Sequence, residues 1–153
     1  MRKETKRAIQ GFSVILFILY LILMIYFLFF AENLGRSFSE RTYAYNLEPF
    51  KEIGRFWTYR EELGFWAVFL NLAGNVLCFV PFGAILPILS VRARNFFLTT
   101  LLSFEFSLMV ECVQLISRVG SFDVDDLMLN TLGGVVGFLM FTVCNALRRK
   151  RYG

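Results

Sequence analysis

Residues 96–145 read FFLTTLLSFEFSLMVECVQLISRVGSFDVDDLMLNTLGGVVGFLMFTVCN and contain two apolar runs. Each run is long enough to cross a bilayer as a helix, which takes about 20 mainly apolar residues. Charged and amide residues collect where the runs meet: Glu111, Gln114, Arg118, Asp123, Asp125, Asp126 and Asn130. A charge at the centre of a membrane helix costs roughly 2.5–3.5 kcal/mol, so such residues are rare there. This junction is therefore the first place to expect a function.

The rest of the chain has the same apolar character. Of its 153 residues, 57% are hydrophobic, against about 45–50% in ordinary soluble proteins. Four runs reach the length of a spanning helix: residues 12–31, 65–89, 96–116 and 127–147. The first is too long for a signal-peptide core and lacks a small-x-small cleavage site, so it is predicted to be retained. The sequence predicts a single all-α membrane domain over residues 1–153, a bundle of four transmembrane helices.

Basic residues gather at three places and explain the net charge of +4. They lie at residues 2–7, 92–94 and 148–151, which fall on one side of the membrane if the four helices alternate. The positive-inside rule makes that side the cytoplasm, so both termini are predicted to be cytoplasmic. Because membrane topology accounts for these charges, no nucleic-acid partner is expected.

The longest segment between the predicted spans is residues 32–64. Within it Phe50, Ile53 and Trp57 recur at i, i+3 and i+7, with charged residues between them. This pattern favours a short amphipathic helix lying at the outer membrane surface. An ordered loop packed on the helix ends is the alternative, and the sequence does not separate the two.

Two features of the apolar runs concern helix geometry and packing. Pro81 and Gly83 predict a kink or break in the second run, so that residues 81–89 would form a separate short helix. Gly133 and Gly137 in the fourth run have the small-xxx-small spacing that lets membrane helices approach closely. Asn130 is suited to an interhelical hydrogen bond on the same run.

The chain has no His and no closely spaced pair of Cys residues. A His-based catalytic triad and a zinc site of the usual kind are therefore excluded, and no metal or cofactor is predicted. Cys78, Cys112 and Cys144 lie far apart within apolar runs, and we expect them to be buried thiols that behave as small hydrophobes.

The polar residues are predicted to converge at the outer ends of the last three helices. Asn71 and Asn75 share one face of the second, since they are four residues apart. Glu111 and Gln114 share a face of the third, with Arg118 one turn further along. On the fourth, Asp123, Asp126 and Asn130 lie at i, i+3 and i+7.

Several of these polar residues can be explained instead by a structural role within the bundle. Asp123 is placed to be the N-cap of the fourth helix, with Asp126 completing a capping box. Glu111 is placed to pair with Arg118 across two turns or to hydrogen-bond Asn75. Capping is the favoured role for Asp123, and a functional role is favoured for Glu111.

The combined spacing resembles the VanZ-like family of membrane proteins. The matching strings are Asn71-x3-Asn75-x3-Phe79-x-Pro81-x-Gly83, Glu111-x2-Gln114, and Arg118-x3-Phe122-Asp123-x2-Asp126-x3-Asn130-x2-Gly133-x3-Gly137. Asn46-Leu-Glu-Pro-Phe50 is similar to an Asn-Leu-Ile-Pro-Phe element of that family, with Glu48 in place of the usual apolar residue. The resemblance covers about residues 46–140. It implies a small helical bundle in a bacterial envelope, associated with resistance to teicoplanin and related lipoglycopeptides.

The first functional hypothesis is a multi-pass protein of the bacterial cytoplasmic membrane that acts at the outer leaflet. It would bind or reorganise an envelope lipid, a lipid-linked cell-wall precursor or a lipoglycopeptide. A polar notch open to the outside would be lined by Asn71, Asn75, Glu111, Gln114, Arg118, Asp126 and Asn130. In it Arg118 would meet a phosphate, and the carboxylates would meet ammonium groups or sugar hydroxyls.

The second hypothesis is an intramembrane hydrolase or transferase with Glu111 and Asp126 as the candidate catalytic residues. Glu111 would be a general base, and Asp123 and Asp126 would hold a divalent cation. Ser117 and Ser121 have no His or Lys partner near them in the sequence, which disfavours an enzyme. A transporter is the third hypothesis and would require a homodimer to form a path.

Overall fold

A computed structural model describes residues 3–26, 44–118 and 120–152. The elements follow in the order α1 Lys3–Tyr26, β1 Tyr45–Asn46, α2 Lys51–Thr58, α3 Arg60–Leu63, α4 Phe65–Leu89, α5 Phe96–Ser117, β2 Phe122–Asp123 and α6 Val124–Tyr152. A 3-10 turn, Arg92–Arg94, separates α4 from α5. Four of these helices, α1, α4, α5 and α6, are long and apolar enough to cross a membrane. The predicted all-α membrane bundle is confirmed.

Each of the four predicted apolar runs corresponds to one long helix, and the bounds agree most closely for α4 and α5. The second run coincides with α4, the third ends one residue before α5 does, and the fourth lies within the longer α6. The first run corresponds to α1, which begins at Lys3. Residues 27–31 of that run lie outside the described residues.

Glycines bring α4 and α6 into backbone contact along the most extensive helix pair of the bundle. A Cβ built on Gly137 would lie 2.1 Å from the carbonyl oxygen of Val80, and one on Gly83 would lie 1.9 Å from the carbonyl oxygen of Gly134. No side chain fits at such distances, so the two helices approach as closely as they do because these positions are Gly. The small-xxx-small spacing thus has the packing role that the sequence indicated.

The predicted break at Pro81 is wrong, because α4 runs unbroken through both Pro81 and Pro87. Proline removes one helical N–H but leaves the rest of the hydrogen-bond ladder, and neighbouring helices can keep the segment helical. Here the close contact of Gly83 with Gly134 holds the second half of α4 against α6.

Small polar residues form a buried stripe on α5. Thr99, Ser103 and Ser107 recur every four residues, and each is 0% exposed. A Cβ on Gly134 of α6 would lie 2.1 Å from Ser103 Oγ, so the stripe lies directly against α6. Glu111 follows four residues after Ser107 and extends the stripe into the polar end of the bundle.

The helix α1 packs chiefly against α4, where the rings of Phe17 and Phe82 lie 5.9 Å apart. Most of its apolar side chains, including Ile18 and Leu19 at 51% exposure each, face away from the other helices. In a membrane these side chains contact lipid, as expected of a helix at the periphery of the bundle.

The connecting segment, residues 44–64, is tied to the α5–α6 turn. The two-residue strands β1 and β2 pair in parallel, with Tyr45 opposite Phe122 and Asn46 opposite Asp123. The amphipathic helix predicted in this segment is α2, which has no buried residue and leaves Trp57 66% exposed. An exposed aromatic ring on such a helix suits the membrane interface.

The cysteine prediction is wrong for burial. Cys78 and Cys144 are exposed and Cys112 is half-buried. A thiol on a membrane helix need not be buried in protein, because lipid is an equally apolar surrounding for it.

Candidate functional site

A cavity of about 400 Å³ opens between α1, α4, α5 and α6 at the end of the bundle that carries the connecting segment. We call it the polar cavity. Its polar wall is formed by Asn71, Asn75, Glu111, Gln114, Asp126 and Asn130. Its apolar wall is formed by Leu23, Met24, Leu77, Pro81 and Val110, with Tyr20 and Cys78 completing the lining. Six of the seven predicted binding residues thus face one space, although they lie up to 59 positions apart in the sequence.

Arg118 is the predicted residue that lies outside this lining. It is the C-cap of α5, exposed, with a left-handed φ of 54°. Its backbone N–H donates to the carbonyl oxygens of Gln114 and Leu115, which closes the end of the helix. A spacing of i+7 would place Arg118 on the same helical face as Glu111. However, α5 ends at Ser117, so helical spacing does not determine the position of Arg118.

One hydrogen bond connects α4 and α6 within the polar wall. Asn75 Nδ2 of α4 donates to Asp126 Oδ1 in the first turn of α6. Asn71 lies one turn earlier on α4 and is exposed at the mouth of the cavity. The Asn75–Asp126 contact fixes the position of one carboxylate oxygen.

Glu111 lies deep in the bundle, with only 2% of its surface exposed. Its Oε2 accepts a hydrogen bond of 3.0 Å from the backbone N–H of Asp123. This bond joins α5 to the residue that precedes α6, so Glu111 stabilises the turn and also lines the cavity. A buried carboxylate needs such partners, because burial without them costs several kcal/mol.

Asp123 acts as the N-cap that its position predicted. Its Oδ1 accepts from the backbone N–H of Asp125, the second residue of α6, at 2.8 Å. The same oxygen accepts from Asn46 Nδ2 at 3.2 Å and so holds the connecting segment. Asp123 is not among the residues that line the polar cavity.

Asn130 combines the two roles proposed for it. Its Nδ2 donates to Ser107 Oγ at 3.0 Å, a bond between α6 and α5 in the buried interior. It also contributes to the polar wall. Interhelical bonds of this kind are worth about 0.6 kcal/mol on average in membrane proteins, so orientation of the side chain is the larger consequence.

Asp125 is the important residue that sequence reasoning did not single out. It is 1% exposed, and its carboxylate accepts from the backbone N–H groups of Phe50, Glu52 and Ile53 at 2.5, 2.8 and 3.1 Å. In the sequence Asp125 is only a third acidic residue beside Asp123 and Asp126, whose spacing suggested specific roles. Its partners are backbone groups more than seventy positions away, which spacing along the chain does not reveal.

Glu48 stands where the Asn-Leu-Ile-Pro-Phe element has an apolar residue, and it does not disturb the turn before α2. Its side chain is exposed and forms an ion pair with Lys51 at 3.0 Å. Its backbone N–H donates to Asn46 Oδ1 at 3.2 Å, which forms the turn. A charged residue fits here because the side chain points away from the bundle.

The charge of the polar cavity comes from carboxyl groups. Glu111 and Asp126 line it together with four amide side chains, and no Lys or Arg is among the described lining residues. Such a surface is suited to hydroxyl, amide and ammonium groups, whereas a phosphate group would meet two acidic side chains with no lining cation to offset them. In the described ranges, no three His, Cys, Asp or Glu side chains are grouped as a metal site requires.

Comparison with known proteins gives a consistent result. The family model described as VanZ/LLP1 matches residues 17–145, which includes part of α1 as well as the core at about residues 46–140. The protein described as Protein VanZ from Enterococcus faecium is 29% identical over 129 residues, which make up 83% of this chain and 71% of that protein. No solved structure matches the chain.

Proposed function

This chain belongs to the VanZ/LLP1 family, and on that premise we propose that it binds the polar part of an envelope amphiphile in the polar cavity. It is a multi-pass membrane protein with four apolar helices. The proposed ligand classes are a membrane lipid, a lipid-linked cell-wall precursor and a lipoglycopeptide. Binding at this site would contribute to tolerance of glycopeptide antibiotics such as teicoplanin.

One observation carries the proposal: six polar side chains from three helices surround a single cavity whose remaining wall is mainly apolar. Polar residues are costly at membrane depth and mark a functional site by default. Some of that polarity is used within the protein, as in the Asn75–Asp126 and Asn130–Ser107 contacts. Those contacts orient the side chains, while the cavity leaves about 400 Å³ for a ligand group beside them.

The lining chemistry narrows the group that enters. Carboxylates accept hydrogen bonds from hydroxyl and ammonium groups, and amides both donate and accept. With Arg118 outside the lining, the cavity favours a sugar or an amine over a phosphate. A phosphate of the same ligand would remain at the mouth, nearer the membrane surface.

The proposed location is the outer leaflet of the bacterial cytoplasmic membrane. Basic residues at 92–94 and 148–151 lie at the opposite end of the bundle from the polar cavity. The positive-inside rule assigns that basic end to the cytoplasm and therefore the cavity to the outside. Lipid-linked precursors and glycopeptides are both accessible from that side.

The positions of Ser117 and Ser121 do not favour the hydrolase or transferase alternative. The hydroxyl of Ser117 donates to the carbonyl oxygen of Val113 at 2.6 Å, as helix hydroxyls commonly do. Ser121 lies in the exposed turn after α5. Magnesium-dependent release of product from a lipid-linked precursor by the purified protein would favour the enzyme over the binding protein.

The test compares two carboxylates that differ in whether they face the cavity. Glu111→Gln keeps an oxygen for the Asp123 N–H and removes the charge, so we expect normal folding and loss of the contribution to teicoplanin tolerance. Asp123→Asn is the matched control, because both bonds to Asp123 go to Oδ1, which Asn retains. The measurement is drug susceptibility of cells that make each variant at equal membrane abundance. Full tolerance with Glu111→Gln would remove the carboxylate from the proposed site.

A further inference from the structure

A second, wholly apolar cavity adjoins the polar cavity. It has a volume of about 330 Å³ and is lined by Leu21, Met24, Ile25, Phe106, Met109, Val110 and Val113. Among the described residues, the lining comes from α1 and α5 and contributes no polar surface. We call it the apolar groove.

The two cavities lie side by side at Met24 and Val110, which line both. On α5 the groove follows Phe106, Met109 and Val113, whereas the polar cavity faces Glu111 and Gln114 on the adjacent side of the helix. Residues 106–113 of a helix span about 10 Å, roughly a third of the hydrocarbon thickness of a bilayer. The groove therefore lies beside the polar cavity at about the same depth, since the two cavities use residues 21–25 and 20–24 of α1.

The groove exists because α1 packs chiefly against α4 and leaves a gap beside α5. Its lining stays partly open to the surroundings, with Met109 52% and Val113 38% exposed. An apolar gap that opens to lipid beside a polar cavity places the two chemistries of an amphiphile next to each other. A polar ligand without a chain would use only one of them.

We infer that the apolar groove binds the hydrocarbon chain of the same molecule whose polar group occupies the polar cavity. The inference rests on the proposed function and adds that the ligand is chain-bearing and enters sideways between α1 and α5. The chain contributes van der Waals contact along α5 and restrains the position of the polar group. Linking two binding groups in one molecule raises the apparent affinity of each.

Cys78 supplies a reporter for the test, because it lines the polar cavity and is exposed. The protein carries Cys112→Ala and Cys144→Ala and is placed in phosphatidylcholine nanodiscs. The rate at which a maleimide alkylates Cys78 is measured with butyl glucoside or dodecyl glucoside present. Both probes carry the same hydroxyl-bearing group and differ in chain length.

Two Trp variants isolate the groove from simple partition of the probe into the bilayer. Val113→Trp fills the groove, and Ile116→Trp adds the same ring to α5 outside both linings, at a position that is 75% exposed. We expect dodecyl glucoside to protect Cys78 at least about tenfold better in the parent protein and in Ile116→Trp than in Val113→Trp. Protection by butyl glucoside should be the same in all three.

The outcomes separate the inference from the function on which it rests. Equal protection by dodecyl glucoside in Val113→Trp and the parent would overturn the groove while leaving the polar cavity as a binding site. Failure of both glucosides to protect Cys78 in any variant would overturn sugar binding in the polar cavity, and the groove assignment with it.

Discussion

One carboxylate, that of Asp125, fastens the connecting segment to the start of α6. Oδ1 accepts from the N–H of Phe50, and Oδ2 accepts from those of Glu52 and Ile53. Phe50 has a left-handed φ of 65°, an unusual conformation for a bulky residue. The carboxylate thus satisfies N–H groups at the start of α2 and holds the strained residue that precedes it.

Both carboxylate oxygens of Asp125 accept hydrogen bonds, so we expect that Asn cannot replace Asp125 without loss. Asp125→Asn would point an NH₂ group at N–H donors, and we expect a loss of roughly 1.5–3 kcal/mol in the stability of the attached segment. Trypsin cleavage at Arg55 and Arg60, which are exposed in the intact protein, should accelerate. The measurement is the cleavage rate in detergent micelles, with Asp123→Asn as control, since both bonds to Asp123 use a single oxygen. Equal rates for the two variants would show that Asp125 does not hold the segment.

The importance of a single residue could be predicted where its side chain is polar and lies in an apolar run. Glu111 and Asn130 attracted attention because polar groups in apolar runs are expensive. The contribution of Asp125 depends on backbone groups that the fold brings to it, and no side-chain pattern records that. Arg118 illustrates the opposite error, since a shared helical face counts only while the helix continues.

Among the elements, α4 and α6 determine the shape of the bundle through Gly contacts. A larger residue at Gly83 must displace the backbone of Gly134, whereas a Cβ on Gly74 of the same helix meets nothing within 4 Å. The two glycines therefore provide a matched pair for testing helix packing.

We expect Gly83→Ala to destabilise the bundle by about 1–3 kcal/mol, the usual cost of overpacking. Gly74→Ala should be neutral or stabilising by up to about 1 kcal/mol, because Ala is the better helix former. Thermal unfolding of both variants in the same detergent gives the comparison. A Tm for Gly83→Ala equal to that of the parent would mean that α4 and α6 do not rely on this contact.

Helix position was more predictable than helix shape. Length and hydropathy locate α4 and α5 to within a residue, because a spanning helix must match the bilayer. The continuity of α4 at Pro81 was not predictable from composition, since it depends on what packs beside the freed backbone groups.

For the whole molecule, the distribution of charge predicts orientation. Basic residues at 92–94 and 148–151 lie at one end of the bundle, and the connecting segment and the polar cavity lie at the other. Orientation follows from the cytoplasmic preference of Lys and Arg, which the helices themselves do not encode.

We predict that the exposed turn at Ser121 faces the cell exterior. A single Cys at position 121, in a protein whose three native Cys residues are replaced, should react with a membrane-impermeant maleimide in intact cells. A Cys at Lys150, which is exposed beyond the fourth apolar run, serves as the control and should react only after the membrane is opened. Labelling of position 121 from the cytoplasm alone would reverse the orientation and remove the proposed outer-leaflet site.

The hydrogen bonds from residues 50–53 to Asp125 span 72 to 75 positions of the chain. The donors are therefore synthesised well before their acceptor. A ribosome adds about 5–20 residues per second, so the acceptor is synthesised roughly 4–15 s after its donors. Until then the first amides of α2 depend on water, and the polar cavity lacks Asp126 and Asn130. Insertion of α6 therefore completes the fastening of the connecting segment and the binding site in one late event, and chains that terminate early acquire neither.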